Sequence, residues 1–173
     1  MEFEDLAMPH FDALYGFARR LAGNEQDAED LVQETYLRAQ KNFARFDFGT
    51  NLKAWMFRIL RNIAIDHLRD RDALQAGQHE TYDDELFHGA SSTERLINAI
   101  DLKRALECLP DRFRVVVQLK DIEGFSYEEI ADIMNFPVGT VMSRLHRGRR
   151  ELFEMLGGGT AAGRQNKVVA LRQ

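Results

Sequence analysis

Residues 125–152 read FSYEEIADIMNFPVGTVMSRLHRGRREL, two helix-forming stretches separated by a turn that neither can run through. Ser126 followed by Glu129 is a capping box, in which each residue satisfies a backbone N–H of the other. The helix it starts turns Ile130, Ile133 and Met134 inward. The turn NFPVG then interrupts it, and Pro137 fixes the entry to the next helix. That second helix carries Val141, Leu145, Leu152 and Leu156 on one stripe, with Gly148 among them. A glycine inside a helix costs about 1 kcal/mol against alanine. A close helix–helix approach at Gly148 is therefore expected. The pattern is that of a helix-turn-helix.

The opposite face of the second helix carries Thr140, Ser143, Arg144, Arg147 and Arg150. Residues 138–150 hold four arginines and no acid. Hydroxyls and a helix N-terminus can meet phosphates, and arginines can reach guanine edges or the backbone. A solvated basic face on a terminal helix is the plainer alternative. Placed directly after a helix-turn-helix pattern, the face points to DNA.

The first 70 residues read as three helices, about Phe3–Ala22, Gln26–Phe43 and Leu52–Arg71. The second buries Ala28, Val32, Tyr36, Ala39 and Phe43, and the third Leu52, Met56, Ile59, Leu60 and Ile63. Between them lies the loop Ala44–Asn51. Residues 72–92 are polar and acidic and read as a linker. Two more helices, about Thr93–Leu109 and Pro110–Ile122, precede the helix-turn-helix, and the chain after Gly157 reads as a flexible tail. The expected architecture is all-α: two small helical domains, residues 1–71 and 93–156, joined by the linker 72–92 and followed by the tail 157–173. Three prolines in 173 residues agree with it.

The formal net charge of −5 argues by itself against nucleic-acid binding. The charge is segregated, however. Residues 24–34 hold five acids and no base, residues 52–71 sum to +3, and residues 78–94 again hold five acids and no lysine or arginine. Such blocks suggest several distinct binding faces. No apolar run approaches a membrane span, and MEFEDLAMPH lacks the features of a secretory signal. The single cysteine, Cys108, fits a reducing cytoplasm and reads as a core residue. GGGT at 157–160 lacks the lysine of a phosphate loop, and no His/Cys cluster has zinc spacing. No catalytic site, cofactor or resident metal is expected.

The helix-turn-helix resembles the −35 reading module, region 4, of extracytoplasmic-function sigma factors, in SYEEIADIM and PVGTVMSRLHRGRREL. The resemblance implies that Thr140, Met142, Ser143, Arg144, His146 and Arg147 face the major groove, with Arg149 and Arg150 on phosphates. Many members carry arginine where this chain has Met142, and a thioether cannot replace a guanidinium fork. The M-S-R-L-H-R-G-R-R form is similar to an oxidative-stress subgroup paired with zinc-binding anti-sigma factors. DAEDLVQETYLRA, residues 27–39, resembles the family's region 2.2, which grips the β′ clamp helices of RNA polymerase. That implies a polymerase contact by Asp27, Asp30, Leu31, Gln33, Glu34 and Arg38. A solvated face with one i,i+4 ion pair is the alternative there. FARFDFGTNLKAWMFRILRNIAIDHLRDR, residues 43–71, resembles regions 2.3 and 2.4, which open and read the −10 element.

Trp55, Arg58, Asn62, Ile65 and Arg69 form a stripe apart from the core stripe, with groups that can stack on an extruded base or hold a single strand. By the resemblance, Phe46 and Asn62 line the pocket for a flipped base, while Lys53, Arg58, Arg61 and Arg69 hold the backbone. Packing remains open for Trp55, and loop anchoring for Phe46 and Phe48. The family further implies core RNA polymerase (β′ clamp helices and β flap), promoter DNA and an anti-sigma factor as partners. It also suggests that the acidic linker runs through the RNA-exit path. The chain is thus expected to be an alternative sigma factor. Other readings are a helix-turn-helix regulator that works without polymerase, and a decoy that binds anti-sigma factors.

Overall fold

Pro9 interrupts what sequence periodicity predicts as one helix. In the computed structural model, which describes residues 2–75 and 102–157, the segment Phe3–Ala22 is three pieces. Helix α1 spans Phe3–Ala7, a 3-10 turn spans Met8–His10, and α2 spans Phe11–Ala22. Proline brings no N–H and its ring crowds the carbonyl four residues back, so the backbone tightens there before the helix resumes. Helix α2 ends at Gly23, whose φ of 77° only glycine adopts without strain.

The chain divides into two compact units. The first holds α1, α2, α3 (Glu25–Asn42) and α4 (Leu52–Gln75). Asn24 caps α3 by accepting from the Asp27 N–H at 2.9 Å. The core is Leu14, Phe17, Leu31, Val32, Met56, Phe57, Leu60 and Ile63. Phe17 and Phe57 lie 5.1 Å apart between ring centroids. The buried Thr35 hydroxyl donates to the Leu31 carbonyl at 2.6 Å, so no polar group is stranded there. Helix α4 runs four residues past the expected end at Arg71. Of the stripe expected to face its core, Leu52 and Ile59 are only half-buried.

The second unit holds α5 (Leu102–Cys108), α6 (Asp111–Val117), the first part of α7 (Tyr127–Met134) and α8 (Val138–Met155). Helix α6 does not run straight to Ile122 as expected; Gln118–Ile122 form a π turn that directs the chain into Gly124, at φ 78°. Cys108 is exposed, which corrects the expectation of a core cysteine. The inward residues are Ala105 and Leu109, and Cys108 falls off their stripe. The expected linker beyond residue 75, the start of the Thr93–Leu109 helix and the tail beyond Gly157 lie outside the described residues. The described residues contain helices and turns without strands, and no helix among them is long and apolar enough to cross a membrane.

Candidate nucleic-acid interface

The capping box forms as expected. Ser126 Oγ accepts from the Glu129 N–H at 3.1 Å, and Glu129 Oε2 accepts from the Ser126 N–H at 2.8 Å. Helix α7 ends at Asn135, at φ 55°, a left-handed position that asparagine tolerates better than most residues. The Phe136 N–H donates back to the Ala131 carbonyl at 3.1 Å and closes the turn. The Pro137 carbonyl then accepts from the Thr140 and Val141 amides at 2.9 and 3.2 Å, starting α8.

Gly148 explains how α8 is oriented. A Cβ there would lie 2.8 Å from Val117 Cγ2 and 3.1 Å from Phe113 Cβ. The helices touch where only a hydrogen fits, as the sequence pattern implied. With Val141, Leu145, Gly148 and Leu152 buried against this contact, Met142, Ser143, His146, Arg147 and Arg150 are exposed.

The four arginines of α8 are not equivalent. Arg147 is exposed, and Arg150 makes one loose i,i+4 contact with Glu154 at 3.8 Å. Arg144 is half-buried with its guanidinium over the Phe136 ring, 4.2 Å from the centroid, in cation–π geometry. Arg149 reaches the π turn. Its Nε donates to Asp121 Oδ2 at 3.0 Å and its Nη2 to Oδ1, a two-pronged pair. That pair holds the guanidinium pKa above its ordinary value. Ser143 Oγ donates to the Thr140 carbonyl at 3.0 Å, and half-buried Thr140 sits in the first turn.

In the first unit, Asp47 shapes the loop before α4. Its Oδ1 accepts from the Gly49 N–H at 2.9 Å, and its carbonyl accepts from the Thr50 N–H at 2.9 Å and hydroxyl at 2.8 Å. Asn51 Oδ1 accepts from the Ala54 N–H at 3.3 Å and begins α4. This brings Phe46 onto Trp55, 5.2 Å between centroids, with Phe43 and Phe48 completing an aromatic cluster. Phe46 is 8% exposed and Phe48 67% exposed. Arg58, Asn62 and Arg69 are exposed, and Lys53 and Trp55 half-buried. Ile65 departs from the expected outer stripe and is buried, and Arg61, which the resemblance placed on a nucleic-acid backbone, is 5% exposed. Helical phase puts Arg61 beside the Phe57–Leu60 side of α4.

The acidic face of α3 is partly committed to internal structure. Asp27 Oδ2 accepts from Asn24 Nδ2 at 2.9 Å, so its carboxylate joins the cap. Glu34 pairs with Arg38 at 2.6 Å and lies 3.0 Å from His67 Nε2 on α4, and Arg38 approaches Asp66 at 3.6 Å. Leu31 is buried, while Asp30 and Gln33 are exposed. Leu37, 60% exposed, joins Asp30 and Gln33 on one outward face and was not among the expected residues. The spacing 30, 33, 37 was the available signal. Among the described residues, no group of three or more His, Cys, Asp or Glu is placed to hold a metal ion.

Two family models match: "Sigma-70 region 2" over residues 6–74 and "Sigma-70, region 4" over residues 99–152. The ECF RNA polymerase sigma factor SigW of Bacillus subtilis is 34% identical over 165 residues, which cover 89% of this chain and 88% of that protein. The ECF RNA polymerase sigma factor SigE of Mycolicibacterium smegmatis is 38% identical over 164 residues; these are 89% of this chain but 61% of that protein's length. The crystallised sigma factor RpoE of Bartonella quintana, in complex with the anti-sigma factor NepR, superimposes with a TM-score of 0.64 at 32% identity. That alignment covers 90% of this chain and 96% of the other.

Proposed function

The chain belongs to the extracytoplasmic-function sigma factors, and from that premise we propose that it binds core RNA polymerase and directs promoter-specific initiation by reading −35 and −10 elements. The observation that carries the reading is α8: a capped helix-turn-helix, locked at Gly148, with Ser143, His146 and Arg147 exposed on its outward face. Its N-terminal half enters the −35 major groove, and Arg150 adds a phosphate contact. Arg149 acts through Asp121 to hold α8 against the π turn, and Arg144 is steadied on Phe136.

The face around Asp30, Gln33, Glu34 and Leu37 meets the β′ clamp helices, and the second unit meets the β flap. The Phe43–Phe46–Phe48–Trp55 cluster with Asn62 takes up a base flipped from the −10 element, while Lys53, Arg58 and Arg69 hold its strand. The chain acts in the cytoplasm and is not an enzyme. An anti-sigma factor regulates it, as NepR partners the Bartonella relative. The M-S-R-L-H-R-G-R-R sequence aligns it with the oxidative-stress subgroup, whose anti-sigma factors bind zinc.

The test is run-off transcription with purified core polymerase on a promoter library. Specific transcripts that depend on the chain, with enriched −35 and −10 sequences, are expected. DNA binding without stimulation of core would instead support a conventional regulator. Anti-sigma binding without either would support a decoy. Adding a co-purified partner, with and without chelation of its zinc, tests the subgroup assignment.

A further inference from the structure

Met142 stands on the exposed basic face of α8 with half of its surface in solvent (51%), beside Ser143 and one turn before His146. It does not serve the core, which α8 builds from Val141, Leu145, Gly148 and Leu152. A thioether donates no hydrogen bond and accepts only weakly. It therefore pairs poorly with phosphate and with the acceptor-rich edge of guanine. The major groove offers such a side chain one distinctive partner, the C5-methyl group of thymine. Methionine suits that contact, because it is unbranched, polarizable and able to fill an irregular gap. The helix geometry keeps it available: the Gly148 contact fixes the rotation of α8, and Asp121 tethers its far end through Arg149.

We propose that Met142 is a specificity-determining residue that selects a thymine in the −35 element by packing on its methyl group. The proposal rests on the reading that α8 enters the −35 major groove. It converts the loss of a guanidinium fork at this position into a preference for an A·T pair.

The experiment uses holoenzyme reconstituted with the full chain. Promoter affinity is measured on the selected −35 element with each thymine replaced, one at a time, by deoxyuridine, which removes only the methyl group. One replacement is expected to weaken wild-type binding about fourfold, the worth of one buried methyl-sized group. Met142→Ala should bind the thymine template weaker by a similar factor and show no response to that replacement. Met142→Leu should retain the methyl dependence. The proposal is overturned if no replacement affects the wild type, if the methyl dependence survives in Met142→Ala, or if the selected element has no A·T preference. Arg147→Gln separates the two levels. If it weakens promoter binding while deoxyuridine has no effect, the groove reading stands and only the Met142 proposal fails. If it also leaves binding unchanged, the groove reading itself fails, and the proposal with it.

Discussion

The two candidate DNA surfaces are built on opposite plans. On α8 the proposed reading face and the packing face are separate: Met142, His146 and Arg147 are exposed, while Val141, Leu145 and Gly148 are inside. On α4 and its loop the two roles fall on the same side chains. Phe46 is buried with its ring tilted against Trp55, which is itself half-buried, and Arg61 lies within the bundle. A duplex groove can be read by a rigid exterior. An extruded base needs a stacking partner, and aromatic rings that can offer one also tend to pack together. The first surface is therefore expected to tolerate substitution at little cost in stability, and the second is not.

The sharpest challenge to that contrast is Phe46→Ala. It should destabilise the first unit by about 3 kcal/mol, as loss of a buried aromatic does, and should also abolish −10 opening followed by permanganate footprinting. Phe46→Leu should regain most of the stability in thermal melts. If it regained opening as well, Phe46 would act through packing alone. Gly148→Val attacks the other side. Its side chain must enter the space held by Val117 and Phe113, and a cost of about 2 kcal/mol confined to the second unit is expected in denaturant melts.

Ser126→Ala removes one half of the capping box and should cost about 1 kcal/mol in the second unit. Arg149→Gln should cost less than about 1 kcal/mol, since the pair with Asp121 is exposed. If its role is to fasten α8, the salt dependence of −35 binding stays unchanged. If it holds a phosphate instead, the salt slope falls by about 1.

The smallest effect is a pH dependence in the first unit. Burial, and then the charge of Lys53, lowers the pKa of His10 below its ordinary 6.5. The folded state thus prefers the neutral imidazole. Its contribution is present above pH 6.5 and is lost as pH falls through the lowered folded value. His10→Gln should flatten that acid limb in melts recorded over this range.

The second unit was the more legible in sequence, for physical reasons. A capping box, a Pro-containing turn and a helical glycine each state a local requirement, and all three appear in place. Periodicity also located the helices of the first unit, but it says only which face is inward. It could not separate a ring that packs from a ring that stacks on a base, nor find that Arg61 lies inside. Pro9 announced the break between α1 and α2, although the apolar rhythm continues across it. The π turn at Gln118–Ile122 left no comparable mark, because one extra residue per turn shifts the phase without changing composition. The partition of the four arginines depends on Asp121 and Phe136, one of them 28 residues away from its partner, a pairing that spacing along α8 does not encode.

The contact at Gly148 has a consequence for how such a protein diversifies. With helix orientation set by a space one hydrogen wide, outward residues such as Met142 and His146 are released from any part in holding the fold. Under the proposed −35 reading, drift at Met142 or His146 is nearly silent thermodynamically and alters which promoters are chosen. Duplicated copies of the gene could part company in their target sets one side chain at a time, without passing through an unfolded ancestor.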